Sequence, residues 1–367
     1  MEKVDITIIG AGVVGLAAAR ELAGPGRAVA LVERNARHGL ETSSRNSEVI
    51  HSGIYYYPGS LKAGLCVRGK ELLYEYCKEH SIPCKAIGKI VTAHDEAELP
   101  RLEALYKRGM ENGLKDLKLL DTAELRRMEP NLNIIAGILS PSTGILSADL
   151  LMDKFLEEAE SHGAMLFTKT EVTGIIKVDG AYQIRTNSQE PFLSRIVINA
   201  SGHNADKIAQ MAGINIDEAG YRQRFIKGEY FRIKKSPVVS RLIYPLPGEL
   251  SLGIHLTPDL NGSLRLGPNS FPVEVVNYDV DMSHRPDFLR AARRYFPDMS
   301  DDLLNPDIAG VRPRLARFTG EHPDFIISHE AQKGLPGFVD LIGIDSPGLT
   351  SAPAIALKVK ELIKDLL

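Results

Sequence analysis

Tryptophan is absent from this chain of 367 residues, and aromatic side chains make up only 6% of it. The stacking surfaces on which carbohydrate- and RNA-binding platforms depend are therefore missing. Cysteine is scarce: Cys66, Cys77 and Cys84 are odd in number and form no CxxC pair. That pattern excludes a disulfide framework and points to reduced thiols in a cytoplasmic protein rather than to a metal site. No run approaches the about 18 apolar residues that a membrane-spanning helix needs, and no leader is expected ahead of the first strand. A cytoplasmic location is expected, with a peripheral contact on the inner face of the cell membrane left open. Neither sign of charge dominates: the balance is −3, with acids and bases interspersed. A nucleic-acid partner, which would need a basic stripe, is not expected.

Glycine, by contrast, stands where it has work to do. Val4, Ile6, Ile8 and Ile9 make a short β-branched run suited to a buried parallel strand, and it leads into Gly10-Ala11-Gly12-Val13-Val14-Gly15. Gly10 permits a tight turn, Gly12 lets a pyrophosphate approach the backbone, and Gly15 lets the next helix pack close to the strand. That helix, expected over 14–23, aims its first N–H groups and positive dipole end at the phosphates. A second strand over 28–32 ends at Glu33, placed to accept from an adenosine ribose hydroxyl, with Arg34 beside it. A lone GxGxxG is a weak signal; strand, turn, helix, strand and acid in register point to an adenine dinucleotide.

Further helices are expected over 61–80, 96–112 and 122–128, and from the Ser147 cap to 163; strands are expected over 87–93, 170–178, 182–186 and 195–200. Residues 216–307 differ in texture. They alternate apolar and polar, with turns at Pro245-Leu246-Pro247-Gly248 and Asn261-Gly262, and suggest an antiparallel sheet that includes a strand over 250–256. An α/β pattern returns with a strand over 338–342, a glycine-containing turn over 343–349 and a helix over 351–367. The expected fold class is mixed α/β. A Rossmann-like dinucleotide domain would be assembled from 1–85, 145–215 and 310–367, and an inserted antiparallel β-sheet substrate domain from 86–144 and 216–309.

A nicotinamide dehydrogenase would complete a second βαβαβ half soon after the first. Here the chain instead enters Thr42-Ser43-Ser44-Arg45-Asn46-Ser47-Glu48-Val49-Ile50-His51-Ser52-Gly53, rich in small hydroxyls and amides suited to wrapping a pyrophosphate. This stretch resembles the loop after the second strand in the D-amino-acid-oxidase-like superfamily of FAD-dependent oxidoreductases. The likeness narrows to the L-2-hydroxyglutarate oxidase/dehydrogenase family on Asn46 to Ala63, on Lys227-Gly228-Glu229-Tyr230, on Tyr244-Pro245-Leu246-Pro247, Leu252 to Thr257 and Gly262 to Asn269, and on Gly310-Val311-Arg312-Pro313. One departure is Lys227, where that family commonly has arginine; lysine keeps the charge but loses the bidentate fork, so a direct substrate role is not expected there.

The resemblance implies FAD as cofactor and a small carboxylate as substrate, a 2-hydroxy acid oxidised by hydride transfer to flavin N5. FAD would be held by Gly10, Gly12, Val13, Val14, Gly15, Glu33 and Arg34, and by Thr42, Ser43, Ser44, Arg45, Asn46 and Ser47. Val172 would lie at the adenine and Ala200-Ser201-Gly202 at the pyrophosphate. Gly343, Ile344, Ser346, Pro347, Gly348, Leu349 and Thr350 precede the last helix, whose N-terminus would stabilise charge on the reduced ring. Loss of the hydroxyl proton calls for a base. His51 and His255 are the two of ten histidines that stand in family-like blocks. Arg312 is the candidate clamp for a substrate carboxylate, with a cofactor contact as its alternative, and Arg314 is a second cation. Tyr55, Tyr57, Tyr230 and Tyr244 are candidate pocket hydroxyls. Rival readings are a glycerol-3-phosphate dehydrogenase, an oxidase of amino acids or secondary amines, and a non-catalytic flavin module. No motif distinguishes a quinone from oxygen as electron acceptor.

Overall fold

The computed structural model describes residues 2–234, 239–248, 253–317 and 322–367. Lys3–Ile9 lies inside an eight-stranded sheet, with Phe192–Asn199 and Val29–Val32 parallel on its two sides. Ala164–Phe167 continues the parallel series, and Phe338–Ile342 pairs with the end of Phe192–Asn199. Val29–Val32 is buried at every position; its uniformly apolar sequence reflects a strand covered on both faces. On one face Ile6, Ile8 and Val339 pack with Leu16 of helix Val13–Leu22, Phe155 of helix Ala148–Ser161 and Ile355 of helix Gly348–Leu362. On the other, Ile9, Val197 and Phe338 meet Ile208 of helix Ala205–Met211. A Cβ on Gly15 would overlap the Gly10 carbonyl, which is why this helix starts on glycine-bearing sequence.

The second sheet has nine strands, drawn from both insertions. In order they are Phe271–Val273, Gln223–Ile233, Leu264–Leu266, Leu256–Pro258, Leu242–Pro245, Lys89–Ala93, Ala136–Ser140 and Lys118–Leu120, with Leu304–Leu315 also paired to Gln223–Ile233. It departs from the antiparallel expectation in one place, where Leu242–Pro245 runs parallel to Lys89–Ala93. Those two strands belong to separate insertions, so no hairpin ties their directions. Two expected domain boundaries also fall inside strands. Position 309/310 lies within Leu304–Leu315, which stays hydrogen-bonded to Gln223–Ile233 from Leu315↔Gln223 to Leu304↔Ile233. Position 144/145 lies within Gly144–Leu146, the centre of a small sheet with Val49–Ile50 and Cys84–Lys85. Of the strand expected over 250–256, residues 250–252 lie outside the described residues. The last helix begins at Gly348 and ends at Leu362. Among the described residues no helix is long and apolar enough to cross a membrane.

Candidate active site

A cavity of about 390 Å³ is lined from both sheets. The helices Val13–Leu22 and Gly348–Leu362 both present N-termini to it without an N-cap side-chain bond, at Gly12 and Pro347, the second of them beside His51. Such ends offer N–H groups and positive dipole potential to anionic groups. Gly10, Gly12, Val13 and Val14 line the cavity at the first, and Ala200, Ser201 and Gly202 face it from the neighbouring strand. Ile344, Ser346, Pro347, Gly348 and Leu349 do so from the closing turn. Glu33, also lining, is held rigidly: one oxygen accepts from Ala11 N–H at 2.9 Å, the other from Asn35 N–H and side-chain N–H, each at 2.8 Å. A carboxylate has about four lone-pair sites, so acceptor capacity remains for a ribose hydroxyl. Val172 lines the cavity beside Thr170 and Glu171.

The loop that follows is clamped by a cluster the sequence reading missed. His203 lies within hydrogen-bond distance of Glu41 Oε2 at 3.0 Å and of the Val311 carbonyl at 2.9 Å. The Thr42 hydroxyl donates to the same carbonyl at 3.1 Å. Burial opposes ionisation of Glu41, but hydrogen bonds from His203 and Arg34 outweigh it and pull its pKa down to about 2. Arg34 therefore lines the cavity while engaged with Glu41, its Nε at 3.0 Å. Thr42, Ser43, Arg45, Asn46 and Ser47 all line it too. Ser43 Oγ accepts from Val13 N–H at 3.0 Å, tying the loop to the helix start. The loop lies flat on strand Leu304–Leu315 because position 310 is glycine: a Cβ there would overlap the Arg45 carbonyl. Two open helix ends, a fixed acid and this clamped loop around one cavity fit a dinucleotide.

The imidazoles lie by the closing turn. His51 follows strand Val49–Ile50; its N–H donates to Thr350 Oγ1 at 3.0 Å, and the Thr350 hydroxyl donates to Val49 O at 3.2 Å. His255 lies within hydrogen-bond distance of the Gly253 carbonyl through Nδ1, at 2.9 Å. A carbonyl only accepts, so Nδ1 carries the proton and Nε2 is left as an acceptor; that Nε2 is buried with no hydrogen-bond partner among the described residues. The ring stacks on Tyr244 at 3.7 Å. Burial, opposed by the Gly253 bond and reinforced by Lys89 and Arg312, lowers the His255 pKa to about 3. Burial, then Lys89, His255 and Arg312, holds His51 well below the usual histidine range. Both rings are neutral at physiological pH.

Arg312, Tyr230 and Tyr244 line the cavity, as expected of pocket residues. Other expected site residues do not line it. Tyr57 is 36% exposed, with the Arg108 guanidinium 4.4 Å from its ring centre. Tyr55 is packed behind Tyr244, ring centres 6.3 Å apart. Arg314 is drawn to Asp345, with Nε 3.3 Å from Oδ2, and Asp345 also binds the buried Lys62 at 2.7 Å. Gly15 is covered by Gly10, Ser44 turns its hydroxyl to the Glu41 carbonyl at 3.4 Å, Gly343 packs on Leu315, and Thr350 acts through the His51 backbone. Lys227 points into a loop, its Nζ 2.6 Å from Asn277 Oδ1 and 2.5 Å from Asp279 O, in keeping with no direct substrate role. Sequence reasoning missed Lys89, wholly buried and 3.5 Å from His51 Nδ1; a lysine opening an apolar strand reads as a solvated end.

A family model described as "DAO: FAD dependent oxidoreductase" matches residues 5–362. The mitochondrial L-2-hydroxyglutarate dehydrogenase of Arabidopsis thaliana is 36% identical over 97% of this chain and 82% of its own length. A glycerol 3-phosphate dehydrogenase of Caloramator mitchellensis is 33% identical over 99% of this chain and 74% of its own. Among solved structures, dithionite-reduced L-α-glycerophosphate oxidase from Mycoplasma pneumoniae with FAD bound superposes with a TM-score of 0.89 at 30% identity, covering 99% of this chain and 95% of that one.

Proposed function

This chain belongs to the DAO family of FAD-dependent oxidoreductases, and on that footing we propose that it oxidises L-2-hydroxyglutarate, or a close 2-hydroxy acid, to the 2-oxo acid. The observation that carries this reading is the Arg312 guanidinium. It lines the same cavity as His51 and His255 and has no hydrogen-bond or ion-pair partner among the described residues. An open planar fork in a half-buried site matches a carboxylate bidentately.

FAD, when bound, supplies the two-electron acceptor. The chain's own groups do the rest. Arg312 binds the carboxylate and so orients the adjoining hydroxyl-bearing carbon. His255 offers Nε2 only as an acceptor, and His51 is a second neutral imidazole; a neutral ring nitrogen within reach of the hydroxyl is what proton removal requires. Tyr230 and Tyr244 wall the site and limit water.

Similarity to L-2-hydroxyglutarate dehydrogenase along nearly the whole chain supports this choice. A second reading, glycerol 3-phosphate, draws support from the relatives that act on it; the Arg312 fork would then meet a phosphate. Anaerobic mixing of the yellow protein with each compound separates the two. L-2-hydroxyglutarate is expected to bleach the flavin rapidly, while D-2-hydroxyglutarate, glycerol 3-phosphate and sarcosine act slowly or not at all. Bleaching by glycerol 3-phosphate alone would overturn the proposal.

A further inference from the structure

Lys89 sits at the start of strand Lys89–Ala93, wholly buried, with no carboxylate partner among the described residues. Its Nζ lies 3.5 Å from His51 Nδ1, 4.1 Å from the ring centre of Tyr244 and 4.9 Å from that of Tyr55. The remaining titratable groups around it are the Cys66 thiol of helix Leu61–Glu79 and His255, while Arg312 acts on the same two imidazoles. None of these is an anion at neutral pH, since burial pushes the Cys66 thiol up to about 12. The other buried lysines differ: Lys62 is paired with Asp345 and Lys227 with Glu229.

We propose that Lys89 is a positioning residue that makes His51 the base: as a neutral amine it accepts the Nδ1–H of His51, so that Nε2 presents its lone pair to the substrate hydroxyl. This rests on the reading that the site oxidises an alcohol, and it holds for either substrate weighed above. An ammonium at position 89 would do the opposite. It would donate to Nδ1, leave the proton on Nε2, and remove the base. Desolvation without a counter-charge favours the neutral amine. Burial lowers the Lys89 pKa to about 7, with the Cys66 thiol acting in the other direction.

The proton balance closes. The hydroxyl O–H bond breaks and its proton joins His51 Nε2, while the Nδ1 proton passes to Lys89, which becomes the ammonium. The hydrogen on carbon leaves with its electron pair to FAD; the alcohol is oxidised to the carbonyl and the cofactor takes up two electrons. The imidazole is neutral before and after, so no second charge accumulates beside Arg312 on the ring.

The test compares flavin-loaded wild type, Lys89→Met and Lys89→Arg. The first measurement is the pH profile of kcat/KM, with whichever of the two substrates reduces the flavin. The second, made without substrate, is the ¹⁵N shift of the His51 ring nitrogens in histidine-labelled protein. Wild type is expected to lose kcat/KM below a midpoint of about 7, with the proton on His51 moving from Nδ1 to Nε2 over the same range. Lys89→Arg keeps the charge at every pH, so its kcat/KM at pH 8 should fall about 100-fold and Nε2 should stay protonated. Lys89→Met should lose both the limb and the tautomer change. A wild-type profile in Lys89→Arg, or a His51 tautomer in wild type that ignores pH near 7, would overturn the assignment. Because the ¹⁵N measurement needs no substrate, failure of the substrate reading leaves it intact and readable.

Discussion

Arg312 lies on strand Leu304–Leu315, paired in register with Ile226, and it owes its openness to its neighbour. Arg314, two residues on, is taken by Asp345, which leaves the Arg312 guanidinium facing the cavity, acting on Asp345 through charge but making no direct ion pair among the described residues. Its charge is felt by both imidazoles, whose pKa values it helps to lower. Replacing it with alanine removes a charge-assisted bond of about 1.5–3 kcal/mol. The expected cost in kcat/KM is about 10- to 150-fold, seen mainly as a higher KM where chemistry is slow. Arg312→Lys should recover only part of this, since the charge returns without the fork. Steady-state kinetics on the two variants checks it; an unchanged KM in Arg312→Ala would remove the clamp. His51, His255 and Arg312 were picked out by the family-like blocks in which they stand, and the structure brings all three to one cavity. Tyr57 and Arg314 were misjudged because a residue type says nothing of which partner reaches it first. Lys89 was invisible because its character comes from burial, and burial of one strand position depends on a parallel neighbour, Leu242, far along the chain.

Elements were more legible than contacts. The helices at Val13–Leu22, Leu61–Glu79 and Thr122–Met128 follow from apolar spacing and local stop signals, while the Asp121 capping box that starts the last of them is seen only in the structure. The direction of Leu242–Pro245 beside Lys89–Ala93 did not, because no local turn sets it. One short strand also carries a charge problem that only packing reveals. Asp340 stands in Phe338–Ile342, fully buried, with its Oδ1 accepting from Asn199 Nδ2 at 2.6 Å. Burial raises its pKa to about 8, the Asn199 bond opposing this and nearby Glu330 adding to it. The folded protein thus holds a proton that the unfolded chain releases above an ordinary aspartate value of 3.8. Stability contributed at this site is present at low pH and falls as pH rises between those two values, by about 1.4 kcal/mol per unit. Asparagine reproduces the protonated acid: its oxygen can accept from Asn199 and its amide can donate towards Glu330. Asp340→Asn is expected to match wild type near pH 4 and to exceed it increasingly up to pH 8 in urea unfolding. Equal stability of the two proteins at pH 7.5 would refute the burial account.

At the scale of the molecule, the cavity is bounded by segments that are distant in sequence, from the Gly10 turn and the 42–47 loop to Arg312 and the closing turn at Ile344–Leu349. The adenosine end is built by the first sheet, the reacting end by residues of both. A ligand that touches all of these in the folded state and none in the unfolded one stabilises by RT ln(1 + [L]/Kd), about 2.7 kcal/mol at 100 times Kd. Removing FAD should therefore lower the melting temperature, and adding it back should raise the temperature with the logarithm of concentration. The N-terminus of Val13–Leu22 and Glu33 are the groups expected to meet the dinucleotide's pyrophosphate and ribose. ADP alone should recover part of the stabilisation, whereas riboflavin, which lacks both groups, should recover much less at the same concentration. Thermal unfolding of the deflavinated protein with each ligand makes the comparison. If riboflavin stabilised as well as FAD, the isoalloxazine contacts would dominate, and the glycine turn would serve packing of the first helix rather than the cofactor.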